Sequence, residues 1–120
     1  MLTEQRAKEI WQAYTEAWSV QDPARRTAAL SKVVIPQVEY SDPLTKTSDA
    51  AELATYIGGF QQQYPGGSFS LRTFRYRSAE SIAEWSMLDG KGAVVAEGVS
   101  YGRYAADGRL EKMAGFFPTA

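Results

Sequence analysis

The tripeptide Pro65-Gly66-Gly67 separates two stretches of sequence with different hydrophobic periods. Before it, apolar residues recur at three- and four-residue steps, which is the spacing of amphipathic helices. After it they alternate, which is the spacing of half-buried strands. A chain that spends its first half on helices and its second on strands folds as α+β, with the helices on one face of a bent sheet. The 120 residues fit one domain, taken as 1–120, with one core.

Within the helical half, Ala7, Ile10, Trp11, Tyr14, Ala17 and Trp18 form a stripe that predicts a helix over 3–19, with Thr3 able to cap it. Asp22-Pro23 restarts a helix that runs to about 32 and carries Ala24, Ala28, Ala29 and Leu30. A short strand is expected at 37–41, beyond Pro36 and closed by Asp42-Pro43. Asp49 and Glu52 have capping-box spacing at the head of a third helix, whose stripe is Ala50, Leu53, Ile57, Phe60 and Tyr64. Strands follow at 69–77, 81–88, 93–104 and 109–117, with turns at Asp89-Gly90-Lys91-Gly92 and Asp107-Gly108. The expectation is a four-stranded antiparallel meander that the early strand can join. Gly98 and Gly102 are expected to mark bends or bulges in it.

Composition excludes several kinds of chemistry. The chain has no Cys and no His, so thiol nucleophiles, thiolate metal sites and imidazole bases are ruled out. Proton transfer would fall to Asp, Glu, Tyr, Lys or water. No carboxylate pair has metal-binding spacing, and neither a metal nor a cofactor is expected. A net charge of −1 gives no basic face for nucleic acid. No apolar run approaches the ~18 residues that cross a bilayer. The N-terminal residues lack the apolar core of a signal peptide, so a cytoplasmic location is expected.

Several segments, taken in order, resemble the nuclear transport factor 2-like (NTF2-like) superfamily, in its SnoaL-like and ketosteroid isomerase-like branch. They are "AYTEAWSVQD", "YSDP", "DAAELATYIGGFQQQYPG", "EWSM", "AEGVSYGRY" and "ADGRLEKMAGFF". The resemblance implies a cone-shaped curved sheet, antiparallel or mixed, wrapped over three helices around an apolar pocket (a cystatin-like α+β roll). It also implies a homodimer packed through the sheet.

The resemblance suggests a site as well. Tyr14 matches the oxyanion-binding tyrosine of a ketosteroid isomerase, and Asp42 matches its general base. Ser100 stands where that family carries a protonated aspartic acid. Trp18, Tyr56, Phe60, Phe69, Trp85, Met87 and Phe116 are candidates for the pocket wall, beside Ser100. The implied ligand is small and apolar or aromatic. The implied activity is a cofactor-independent isomerase, cyclase or dehydratase reaction on a carbonyl compound. The alternative is a binding or dimerisation module without chemistry. Each residue also has a plainer reading: Tyr14 and the aromatics as core, and Asp42 as a turn former before Pro43. Alternation places Arg72 on one face of its strand and Arg75 and Arg77 on the other, with a solvated sheet face the expected location.

Overall fold

The computed structural model describes residues 2–119. Helix α1 (Glu4–Ala17) starts at Thr3, whose hydroxyl accepts the Arg6 amide at 3.1 Å. Its stripe, Ala7 to Ala17, is buried as the period requires. Helix α2 (Pro23–Ser31) is capped by Asp22, which accepts the Arg25 amide at 2.9 Å. Its buried side chains are Arg26 and Leu30, while Ala24 and Ala28 stay exposed. Arg26 donates to the Val20 and Gln21 carbonyls, both at 3.1 Å, and so ties down the α1–α2 connection.

Helix α3 (Ala50–Gln63) begins with a reciprocal cap. Asp49 accepts the Glu52 amide at 2.8 Å, and the Glu52 carboxylate accepts the Ser48 amide at 2.7 Å. Gly66, at φ +80°, turns the chain out of the helix in a conformation that other residues rarely adopt. Gln61 holds that turn in place. It donates to the Trp18 and Gly67 carbonyls at 2.6 and 3.0 Å and accepts the Gly66 amide at 3.1 Å.

The strands are β1 (Val34–Asp42), β2 (Thr45–Thr47), β3 (Ser68–Arg77), β4 (Glu80–Leu88), β5 (Val94–Tyr104) and β6 (Leu110–Phe116). They form one sheet in the order β2-β1-β6-β5-β4-β3. The β1–β6 pair is parallel and the other pairs are antiparallel. The meander β3 to β6 agrees with expectation, and β1 joins its β6 edge.

Three local features differ from expectation. First, β1 runs straight through Pro36. The β1–β6 ladder is interrupted between Val34 and Glu39, so the missing N–H of Pro36 costs no ladder bond there. Second, Asp42-Pro43 ends β1 as expected, but a further strand follows it. The chain turns and adds β2, which is too short to show a period of its own. Third, the irregularities do not lie at Gly98 and Gly102, where the β4–β5 register is continuous from Glu80 to Met87. One lies at Arg72 instead: Leu71 pairs with Trp85 but Thr73 pairs with Glu84. The extra residue moves Arg72 to the outer face, where it pairs with Glu97 at 3.8 Å. Arg72, Arg75 and Arg77 therefore share that face.

The two glycines make room for neighbouring rings. A Cβ on Gly98 would strike the Trp85 ring and lie 2.6 Å from the Phe116 carbonyl oxygen. One on Gly102 would lie 3.0 Å from the Trp11 ring. The core between the helices and the inner sheet face includes Trp11, Leu30, Leu53, Ile57, Leu110 and Met113, all essentially without exposure.

Candidate functional site

Beyond this core the helices and sheet diverge around a cavity of about 620 Å³. Its position follows from strand alternation. Asp42 and Tyr40 are two residues apart on β1 and face the same side. Trp85 and Met87 face it from β4, and Ala96 and Ser100 from β5. Tyr56 and Phe60 reach it from α3, and Tyr14 and Trp18 from α1 and its C-cap. Phe69 completes the wall from β3.

Of the residues singled out in the sequence, Phe116 lies elsewhere. Ser100 pairs with Gly115 and Val99 with Phe116, so Gly115 faces the cavity and Phe116 the outer surface. Phe116 is 58% exposed. Its neighbour Phe117, past the end of the strand, turns inward, with its ring 6.2 Å from that of Trp85.

The polar groups converge at one end of the cavity. Both oxygens of Asp42 are engaged. Oδ1 accepts the Leu44 amide at 2.8 Å and the Thr45 amide at 3.1 Å, which forms the turn into β2. Oδ2 accepts the Tyr40 hydroxyl at 2.6 Å and the Tyr56 hydroxyl at 2.8 Å. A carboxylate has about four acceptor positions, and here all four are used.

Tyr40 is the residue that sequence reasoning missed. Its place two residues before Asp42 on a strand was the available signal. Gly115 leaves open the space beside this cluster. A Cβ there would lie 3.5 Å from the Asp42 Cβ, 3.6 Å from the Ser100 Oγ and 3.8 Å from the Tyr40 hydroxyl.

Ser100 accepts the Trp85 indole N–H at 2.9 Å, so its own hydrogen is left to donate. The phenols are held in their neutral form. Burial pushes the Tyr14 hydroxyl above its usual 10.0, with Asp42 and Tyr56 adding to the rise and Trp18 opposing it. Tyr40 is pushed up by burial first, then by Tyr14 and by its bond to Asp42. Tyr56 rises by burial and then by its bond to Asp42. All three therefore remain hydrogen-bond donors at neutral pH.

The walls are aromatic. The Trp18 ring lies 6.0 Å from Tyr40, 6.1 Å from Tyr56, 5.8 Å from Phe60 and 5.3 Å from Phe69. Phe69 continues the wall to Trp85 at 5.2 Å. No group of three metal-ligating side chains occurs among the described residues.

No protein-family model and no curated protein matches the sequence, but solved structures match the fold. A protein of Agrobacterium tumefaciens str. C58, described as a candidate isomerase of the SnoaL-like family, has a TM-score of 0.88 at 25% identity. The match covers 96% of this chain and 99% of that one. A candidate SnoaL-like polyketide cyclase from Jannaschia sp. CCS1 has a TM-score of 0.77 at 13% identity, over 95% and 86% of the two chains. An NTF2-like protein of unknown function from Cytophaga hutchinsonii scores 0.72 at 7% identity, over 98% and 92%.

Proposed function

We propose that this chain, which has the SnoaL-like, NTF2-like fold of these structures, binds a small and largely apolar molecule in its cavity. The observation that carries the reading is an aromatic chamber with one polar end, where Asp42, Tyr40, Tyr56, Tyr14 and Ser100 gather. Its volume falls within the ~300–1,000 Å³ typical of small-molecule sites. The three tryptophans of the chain all line it, so their fluorescence reads occupancy. A saturable fluorescence change with a small aromatic or carbonyl compound is expected, with a matching rise in Tm. Ala96→Phe, which fills the cavity, should abolish both. A compound panel that produces no such change removes the reading.

A second reading is proton transfer, with Asp42 as general base and Tyr14 as hydrogen-bond donor to a carbonyl oxygen. Their common cavity supports it, as do neighbours described as a candidate isomerase and a candidate cyclase. Before Oδ2 takes a proton, the Tyr40 or Tyr56 hydroxyl has to release it. Ser100 supplies a second donor where the carbonyl charge develops. On this reading Asp42→Asn lowers turnover of an enolisable carbonyl compound by ~100-fold or more. An unchanged rate removes Asp42 as the base.

The outer sheet face supports pairing of two copies. Ile82 and Phe116 stand there 44% and 58% exposed, beside Val99 and Tyr101. Sedimentation should give a dimer, and Phe116→Glu a monomer. No helix among the described residues is long and apolar enough to cross a membrane.

A further inference from the structure

The charge balance of the cavity narrows the ligand class. Among the described residues, Asp42 is the one carboxylate that lines the cavity, and no Lys or Arg lines it. Its partners are two backbone amides and two phenols, all neutral. They satisfy its acceptor positions without cancelling its charge. We propose that the cavity takes an organic cation with no N–H to donate, a quaternary ammonium group on a small apolar body. This rests on the binding reading above and names the ligand class for it.

Three features of the site agree on this class. An uncompensated negative charge on the wall of a cavity attracts a cation and repels a carboxylate or phosphate ligand. The rings of Trp18, Tyr40, Tyr56, Phe60 and Phe69 line the same cavity as that charge and pack against one another. Such rings attract cations, and tryptophan does so most strongly. The third feature separates kinds of cation. A primary ammonium has three N–H groups that each need an acceptor, and to place one on Asp42 it must displace a donor already there. The acceptor positions of Asp42 are already filled by Tyr40, Tyr56, Leu44 and Thr45. A quaternary nitrogen asks for no hydrogen bond, so it gains the attraction without that penalty.

The test uses the full chain and three probes on one two-carbon alcohol body: choline, protonated ethanolamine and 3,3-dimethylbutan-1-ol. The last is the neutral carbon isostere of choline. Binding is read by tryptophan fluorescence titration. Choline is expected to bind at least about tenfold tighter than the neutral isostere, and also tighter than ethanolamine. Asp42→Asn keeps the shape of the side chain and removes the charge, so it should bring choline and the isostere to within about twofold. Equal or tighter binding of the neutral isostere to the wild-type chain overturns the proposal and leaves the binding reading standing. Tighter binding of ethanolamine overturns it as well, because Asp42 would then be accepting N–H groups from the ligand. If none of the three probes, charged or neutral, changes the fluorescence, the proposal falls; if the wider compound panel fails as well, the binding reading falls with it.

Discussion

Asp42 and Asp107 open turns of the same local construction. Each folds one carboxylate oxygen back onto the chain: Asp42 onto the amides of Leu44 and Thr45, Asp107 onto the amide of Arg109 at 3.0 Å. They differ at the other oxygen. Asp107 Oδ2 meets the Arg109 guanidinium at 2.9 Å on the surface. Asp42 Oδ2 meets two tyrosine hydroxyls inside a cavity. The first carboxylate is paired with a cation, whereas the partners of the second are all neutral dipoles. The same turn chemistry is thus structural at one end of the sheet and, in the proposed function, faces a ligand at the other.

The largest expected effect that tests this contrast is the removal of each carboxylate. Asp42→Ala strands the Tyr40 and Tyr56 hydroxyls and loses both turn bonds, a loss of about 3 kcal/mol by urea unfolding. Asp107→Ala should leave the unfolding midpoint near wild type, because its ion pair is exposed. Equal losses at the two positions would erase the distinction.

A smaller effect separates the two phenols. Tyr40→Phe and Tyr56→Phe each remove one hydrogen bond to the Asp42 charge, at about 1.5–2 kcal/mol. Tyr40 should be the costlier of the two, since it is 7% exposed and Tyr56 is only partly buried. In a double-mutant cycle with Asp42→Ala, the second loss should largely disappear. Full additivity would mean that the hydroxyls do not act through Asp42.

The smallest effect is a pH dependence. Arg109 holds the Asp107 carboxyl below its usual 3.8, chiefly through its backbone and side-chain hydrogen bonds. A carboxylate lowered on folding binds fewer protons in the native state than in the unfolded one. Its contribution is therefore complete above 3.8 and is lost as the pH falls below that value. Asp107→Asn should flatten that acid limb slightly in a pH series of unfolding midpoints, and added salt should flatten it further. An unchanged acid limb would mean that Arg109 leaves Asp107 unperturbed.

Much of the fold was legible because it rests on local chemistry. Thr3, Asp22 and Asp49 cap the helices they were expected to cap, and Pro65-Gly66-Gly67 ends the third. What was not legible depends on pairing across the sheet. Strand β2 exists because β1 offers it an edge, and Pro36 is tolerated because the ladder is already interrupted around it. The bulge at Arg72 reverses the parity of the strand, and its trace in the sequence is only the step from Phe69 and Leu71 to Phe74 and Tyr76. The site divides in the same way. Tyr14, Trp18, Trp85 and Ser100 reach the cavity along the expected helix stripe and strand faces. Phe116 does not, because the register of β6 turns Gly115 inward, and Phe117 fills the wall instead.

Apart from β2, the sequence by itself determined the order of elements, the caps, the turns, and the exclusion of thiol and imidazole chemistry. These follow from each residue and its near neighbours, so no long-range contact is needed to read them. It also placed an aspartate at the turn before Pro43. Only the tertiary structure decided what that aspartate meets. Tyr56 lies 14 residues away on a helix and Tyr40 on the same strand, and packing α3 over the β1 edge brings both hydroxyls to one carboxylate oxygen. That convergence separates Asp42 from the other turn aspartates. Tyr40 shares a strand face with Asp42, but the approach of Tyr56 depends on helix docking, which the local sequence around Asp42 does not encode.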